Sequence, residues 1–173
     1  MAVRSMRFAA LAGALMLAAC AGQETPVPGQ PSFYQSMARP GAVLDTAAAV
    51  SMFSGYRANN GREPLTLDPA LTQLAEAQAQ AMAKRDKLDH NISKPFNARL
   101  KVAGYKAATA AENIGAGYHT LAEAFSGWRD SPPHRANMLL RGARRMGIAA
   151  VYAPTSKYKV YWSLILAAPD TSD

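Results

Sequence analysis

Apolar positions along the chain alternate between a helical and an extended period, and the changes of period divide it into elements. From Asp45, a helix N-cap candidate, Val50, Phe53 and the Tyr56/Arg57 pair recur at helical spacing until Asn59, Asn60 and Gly61 stop the run. Asp68 followed by Pro69 gives a second start, because a capping aspartate before a first-position proline satisfies an open N–H and costs none. Leu71, Leu74, Ala75, Gln78, Ala81 and Met82 then line one face of a helix predicted to reach about Lys87. A short helix is expected over Pro95 to Val102, closed by Gly104. "AAENIGAGY" reads as a strand, with Gly115 allowing close packing and Asn113 satisfying backbone nearby. Thr120 caps a further helix carrying Leu121, Ala124, Phe125 and Trp128 on one stripe, with Trp128 expected in the core, and Pro132 and Pro133 end it.

Two strands close the pattern, "MGIAAVY" and "KVYWSLILA", joined by the turn-rich "APTSKY". In the last strand Val160, Trp162, Leu164 and Leu166 point one way and Tyr161, Ser163, Ile165 and Ala167 the other. Both sets are largely apolar, so this strand needs cover on both faces, which predicts a sheet between two helical layers. No internal repeat is present.

Composition changes the picture mainly at the start. Arg4 and Arg7 precede an apolar run of 12 residues, Phe8 to Ala19, ending at the single cysteine, Cys20. A helix needs about 20 residues to cross a bilayer core, so residues 1–19 read as an export signal. Ala18 and Ala19 before the cysteine resemble the lipobox of bacterial lipoproteins. That resemblance implies lipidation of Cys20, anchorage at the cell envelope and, with Ala21 following, an outer-membrane destination. From Cys20 to residue 44 the chain, rich in proline, glycine and glutamine at first, is expected to be a flexible tether, with the folded domain over 45–173. One cysteine allows no internal disulfide, so that domain relies on its core. Removing the signal leaves 17 basic residues against 12 acidic ones, a modest excess. Arg135, Arg141, Arg144 and Arg145 read either as a solvated loop or as a contact for anionic lipid or glycan. No aromatic residues interleave with them, so nucleic acid is not an expected partner, and a monomer is expected.

The chemistry available is thin locally. The three histidines, His90, His119 and His134, belong to no metalloprotease, nucleophile-elbow or phosphate-loop motif. Any site must therefore be assembled from distant segments. The order of those segments, "YRANNGREPLTLDPALTQLAEAQAQAMAKRDKLDHN", "AENIGAG", "WRDSPPHRANML" and "RRMGIAAVY" before an aromatic-aliphatic strand, resembles a bacterial member of the CAP superfamily, the SCP-domain proteins. The resemblance covers about Asp45 to Pro169. It implies an α+β fold, a three-layer α-β-α sandwich with a central, mainly antiparallel sheet, and a large cleft where histidines face acidic residues. By position it assigns His90, Glu112 and His134 to that cleft, while the place of a second acid holds Ser131, with Asp130 beside it.

Two imidazoles and a carboxylate form a credible zinc set with room for a water, and Ser131 or Asp130 could assist hydrolysis there. The same residues could equally form a metal-free wall, with Glu112 orienting a ring. Pro132 and Pro133 are expected to pre-aim His134. Arg135 is expected to pair with an acid and Asn137 to cap backbone, both within that turn, and His119 to lie on the surface. The expected function is a membrane-anchored binding module for lipid, glycan or peptide through a His/Glu-lined cleft, and the alternative is a zinc-dependent hydrolase or protease in the same place.

Overall fold

The computed structural model describes residues 29–170. In chain order the main elements are α1 (Thr46–Ala58), β1 (Thr66–Leu67), α2 (Pro69–Arg85), α3 (Phe96–Val102), β2 (Ala107–Ala116), α4 (Leu121–Asp130), α5 (Pro132–Met138), β3 (Arg145–Tyr152) and β4 (Val160–Pro169). The sheet order is β1-β3-β4-β2, with β1 parallel to β3 and both other pairings antiparallel. The expected α+β sandwich with a mainly antiparallel sheet is the observed fold.

The two-faced reading of β4 explains the layering. Val160, Trp162, Leu164 and Leu166 pack with Phe53 of α1 and with Leu121 and Trp128 of α4. Ile165 and Ala167 meet Leu71 and Ala75 of α2 and Leu100 of α3 on the other face, and Tyr161 meets Met82. The layer of α2 lies very close to β3. A Cβ at Gly147 would fall 2.1 Å from the backbone carbon of Leu71, so only glycine allows the helix to seat there.

The helix starts follow their caps. Asp45 accepts from the Ala48 N–H and Asp68 from the Leu71 N–H, and Thr120 and Glu123 form a reciprocal capping box. The second helix ends at Arg85, slightly before its expected limit, because Asp86 takes a left-handed conformation with φ of 47°. There its carboxylate accepts from the hydroxyls of Ser156 and Tyr161, tying the helix end to the β3–β4 connection.

Three features differ from the sequence reading. Strand β1 has only two residues, both exposed, and carries no pattern that periodicity could find. Pro132 and Pro133 do end α4, but they also open α5, occupying its first two positions, where a missing N–H costs nothing. The described part of the segment read as a tether packs against the domain: Met37 is 5% exposed within the main core, Phe33, Ala38, Ala42 and Leu44 pack around it, and the Met37 N–H donates to the His119 carbonyl at 2.6 Å. Residues 1–19 and Cys20 lie outside the described residues.

Candidate functional site

β2 is an edge strand, and its outer rim is where the candidate residues meet. Glu112 leaves the strand toward α3, Asn113 toward α5. Edge strands carry unpaired backbone groups, and here side chains of the neighbouring helices cover them. Asn137 Nδ2 donates to the Glu112 carbonyl at 3.3 Å and Trp128 Nε1 to the Ile114 carbonyl at 3.0 Å. Trp128 is thus core and edge cap together. Gly115, next along the rim, has no room for a side chain without crowding the Tyr118 ring, 3.1 Å from a Cβ built there.

Glu112 is the centre of the arrangement. It is buried, and its Oε2 lies 2.9 Å from His90 Nδ1. Arg99 Nη2 donates to both carboxylate oxygens at 2.8 Å, and Ser163 Oγ approaches Oε1 at 3.4 Å. Arg99 itself is 8% exposed and is held by the Lys94 carbonyl through Nε, by the His90 carbonyl through Nη2, and by the face of the Phe96 ring, 5.3 Å from its guanidinium carbon. The loop carrying His90 is fixed from below by Gln78 Nε2, which donates to the carbonyls of Asp89 and His90.

His134 approaches from α5. Its Nδ1 lies 2.9 Å from Ser131 Oγ, its carbonyl accepts from Asn113 Nδ2 at 3.0 Å, and Asn113 Oδ1 accepts from Asn137 at 2.9 Å. Asn137 therefore satisfies β2 instead of its own turn. Burial lowers the His134 proton affinity below the ordinary imidazole range, and the charge of nearby His90 lowers it further. His90 presents an open flank, with its side chain 46% exposed.

The position of α5 depends on two arginines that sequence reasoning left without a role. Arg57 is fully buried in α1; its Nη1 donates to the carbonyls of Met138 and Leu140, its Nη2 to Ala143, and Arg62 Nε donates to Leu139. Guanidinium groups at a helix C-terminus satisfy its open carbonyls and meet the negative end of its dipole. Burial is the main influence lowering the Arg57 proton affinity, with Arg62 adding to it.

Other expectations resolve simply. Asp130 is exposed and takes the Arg129 guanidinium at 2.8 Å; that hydrogen bond first, and the charges of Arg129 and Arg135 after it, hold its carboxyl below the usual range. The expected Arg135 partnership is thus a field effect on Asp130, while Asp130 itself is taken by its neighbour. His119 is on the surface, as are Arg135, Arg141, Arg144 and Arg145. A groove of about 540 Å³ lies between α3 and the start of β2, lined by Leu100, Lys101, Tyr105 and Ala107 among others; His90, Glu112 and His134 do not line it.

These residues fit a zinc ion poorly. Both oxygens of Glu112 already accept from Arg99, and a cation bound there would sit against a guanidinium. Among the described residues no group of three or more histidine, cysteine, aspartate or glutamate side chains is arranged to hold a metal. The expected set of His90, Glu112 and His134 is brought to one rim, with the carboxylate committed to arginine.

Comparison with known proteins gives a consistent result. The profile of the CAP family, described as the cysteine-rich secretory protein family, matches residues 50–166. An uncharacterized protein of Bacillus subtilis, YkwD, is 31% identical over 105 residues, which cover 59% of this chain and 40% of that protein. Among solved structures, an outer surface protein of Borrelia burgdorferi aligns over 73% of this chain and 93% of its own, with a TM-score of 0.66 and 14% identity. An extracellular SCP-domain protein of Bacillus anthracis aligns over 70% of this chain and 39% of its own, with a TM-score of 0.61 and 18% identity. The chain thus spans well under half the length of the two Bacillus proteins it matches.

Proposed function

The chain belongs to the CAP family of cysteine-rich secretory proteins, and from that premise we propose that it is an exported binding module. Lipid on Cys20 holds it at the cell envelope, in the outer membrane where there are two, and its His90/His134 rim takes a peptide or glycan without a metal. Export is supported by the basic and apolar start of the chain and by relatives described as extracellular or outer-surface proteins. The observation that carries the binding reading is the Arg99–Glu112 pair. It withdraws the one carboxylate that a zinc hydrolase would need and leaves two imidazoles and a serine hydroxyl as hydrogen-bonding groups. That lining suits amide and hydroxyl groups better than an acyl chain.

The test is calorimetric titration of the purified protein with N-acetylglucosamine oligomers, an unstructured peptide and phosphatidylglycerol vesicles, with and without a chelator. Saturable binding of the sugar or the peptide that survives chelation and weakens about tenfold, or roughly 1.4 kcal/mol, in His134→Ala is expected. Zinc-dependent cleavage of an ester or amide, or no binding to the sugar or the peptide, overturns the reading. Cys20→Ser should release the protein from the membrane fraction, and membrane retention of that variant removes the anchor from the account.

A further inference from the structure

The contacts around Glu112 decide where one proton resides. Arg99 is buried, and among the described residues it has one salt-bridge partner while its Nη1 has no hydrogen-bond partner. Leaving a buried donor open is costly, so packing alone is a poor reason for a guanidinium here. Its effect on Glu112 is specific. A guanidinium only donates and does not lose its proton in proteins, so both carboxylate oxygens must act as acceptors toward it. Ser163 Oγ adds a third hydrogen bond to the carboxylate, on Oε1. The contact left over is Oε2 with His90 Nδ1 at 2.9 Å, and with an acceptor-only carboxylate the hydrogen in that contact belongs to the ring.

We propose that Arg99 is a positioning residue that sets the hydrogen-bonding polarity of His90. By holding Glu112 as a pure acceptor, it keeps the imidazole proton on Nδ1 and presents a bare Nε2 on the open flank of the neutral ring. His90 then reads a donor: the ligand group opposite it carries an N–H or O–H. The same relay fixes the ring plane, because Nδ1 is pinned to Glu112 while the backbone carbonyl of His90 is pinned to Arg99 and Gln78. This inference rests on the reading that the rim binds its ligand, but it is tested with no ligand present.

Long-range proton–nitrogen spectra of nitrogen-15-labelled full-length protein report which ring nitrogen is protonated. At pH 8 the unsubstituted protein should show His90 with a protonated Nδ1 and a bare Nε2. Arg99→Lys, which keeps a cationic donor, should preserve that pattern. In Arg99→Met the guanidinium that holds both carboxylate oxygens as acceptors is gone, and Nε2 should gain a proton. A protonated Nε2 in the unsubstituted protein or in Arg99→Lys overturns the proposal, as does a bare Nε2 in Arg99→Met. Should Arg99→Met fail to fold, the first two spectra still decide the question. Failure of the sugar and peptide titrations with the bare Nε2 observed would sink the binding reading and leave the tautomer assignment standing.

Discussion

His134 carries a pH signature that separates it from an ordinary surface histidine. Its proton affinity is depressed by burial and then by His90, so the folded protein holds the ring neutral where the unfolded chain would charge it. The sign follows from linkage: the unfolded state binds more protons as pH drops below about 6.5, so this contribution is complete above that value and is lost as pH falls through the depressed folded value. The His134 titration midpoint followed by NMR should therefore lie below that of an unfolded control peptide. It should rise in His90→Ala, which removes the neighbouring charge; an unchanged midpoint in that variant would show that the two rings do not sense one another. His90, Glu112 and His134 were all legible in the sequence, through the resemblance of the segments that carry them. Arg99 was not, although a signal existed: Phe96, Arg99 and Leu100 stand at i, i+3 and i+4, so the arginine shares the inward face of its short helix. Arg57, already placed at helical spacing in the sequence, stands seven residues after Val50 and four after Phe53, on the same inward face. Basic residues at core-facing spacing are easily read as solvated, because sequence alone does not show which carbonyls await them.

At the level of elements, contact between α2 and β3 depends on the absence of one side chain. Gly147→Ala would place its methyl within 2.4 Å of three backbone atoms of Leu71 and Thr72. Backbone cannot rotate aside as a side chain can, so the helix must lift from the strand, and overpacking of this kind costs about 1–3 kcal/mol. The urea midpoint should drop accordingly with an unchanged slope. Gly55→Ala, whose added methyl would meet nothing within 4 Å, should leave the midpoint where it is or raise it slightly. An equal loss in both variants would mean that helix α2 does not lie as close as described. The major helices and the last two strands were legible because caps, periodicity and turn residues agreed. Helix α5 was hidden because a proline reads as a stop from its N-terminal side and as a start from its C-terminal side, and "DSPPHR" uses both meanings within one turn. Strand β1 was hidden for a different reason: it is held by the Thr66 N–H on the Arg144 carbonyl and, just past its end, the Asp68 N–H on the Met146 carbonyl, not by any apolar pattern of its own.

For the whole molecule, the question is where the folded unit begins. A proline- and glycine-rich composition argued for a tether up to residue 44, yet the sparse apolar residues in its second half find a prepared place against α1 and α4. Ser32 Oγ donates to the Asp45 carboxylate at 2.6 Å, so the segment is joined to the cap of the first helix as well. Composition averages over such a stretch, whereas burial depends on individual side chains, and Met37 alone is nearly inaccessible. Burying a side chain of this size contributes roughly 1.5–3 kcal/mol. A chain beginning at residue 45 should therefore melt several degrees below one beginning at residue 29, and the single substitution Met37→Ala should account for a large part of the difference. The truncated chain also frees the His119 carbonyl, which otherwise accepts the Met37 N–H at the turn entering α4. Hydrogen exchange should consequently rise at that turn before it rises in the β4 core. Equal melting temperatures for the two chains would return residues 29–44 to the role of a spacer.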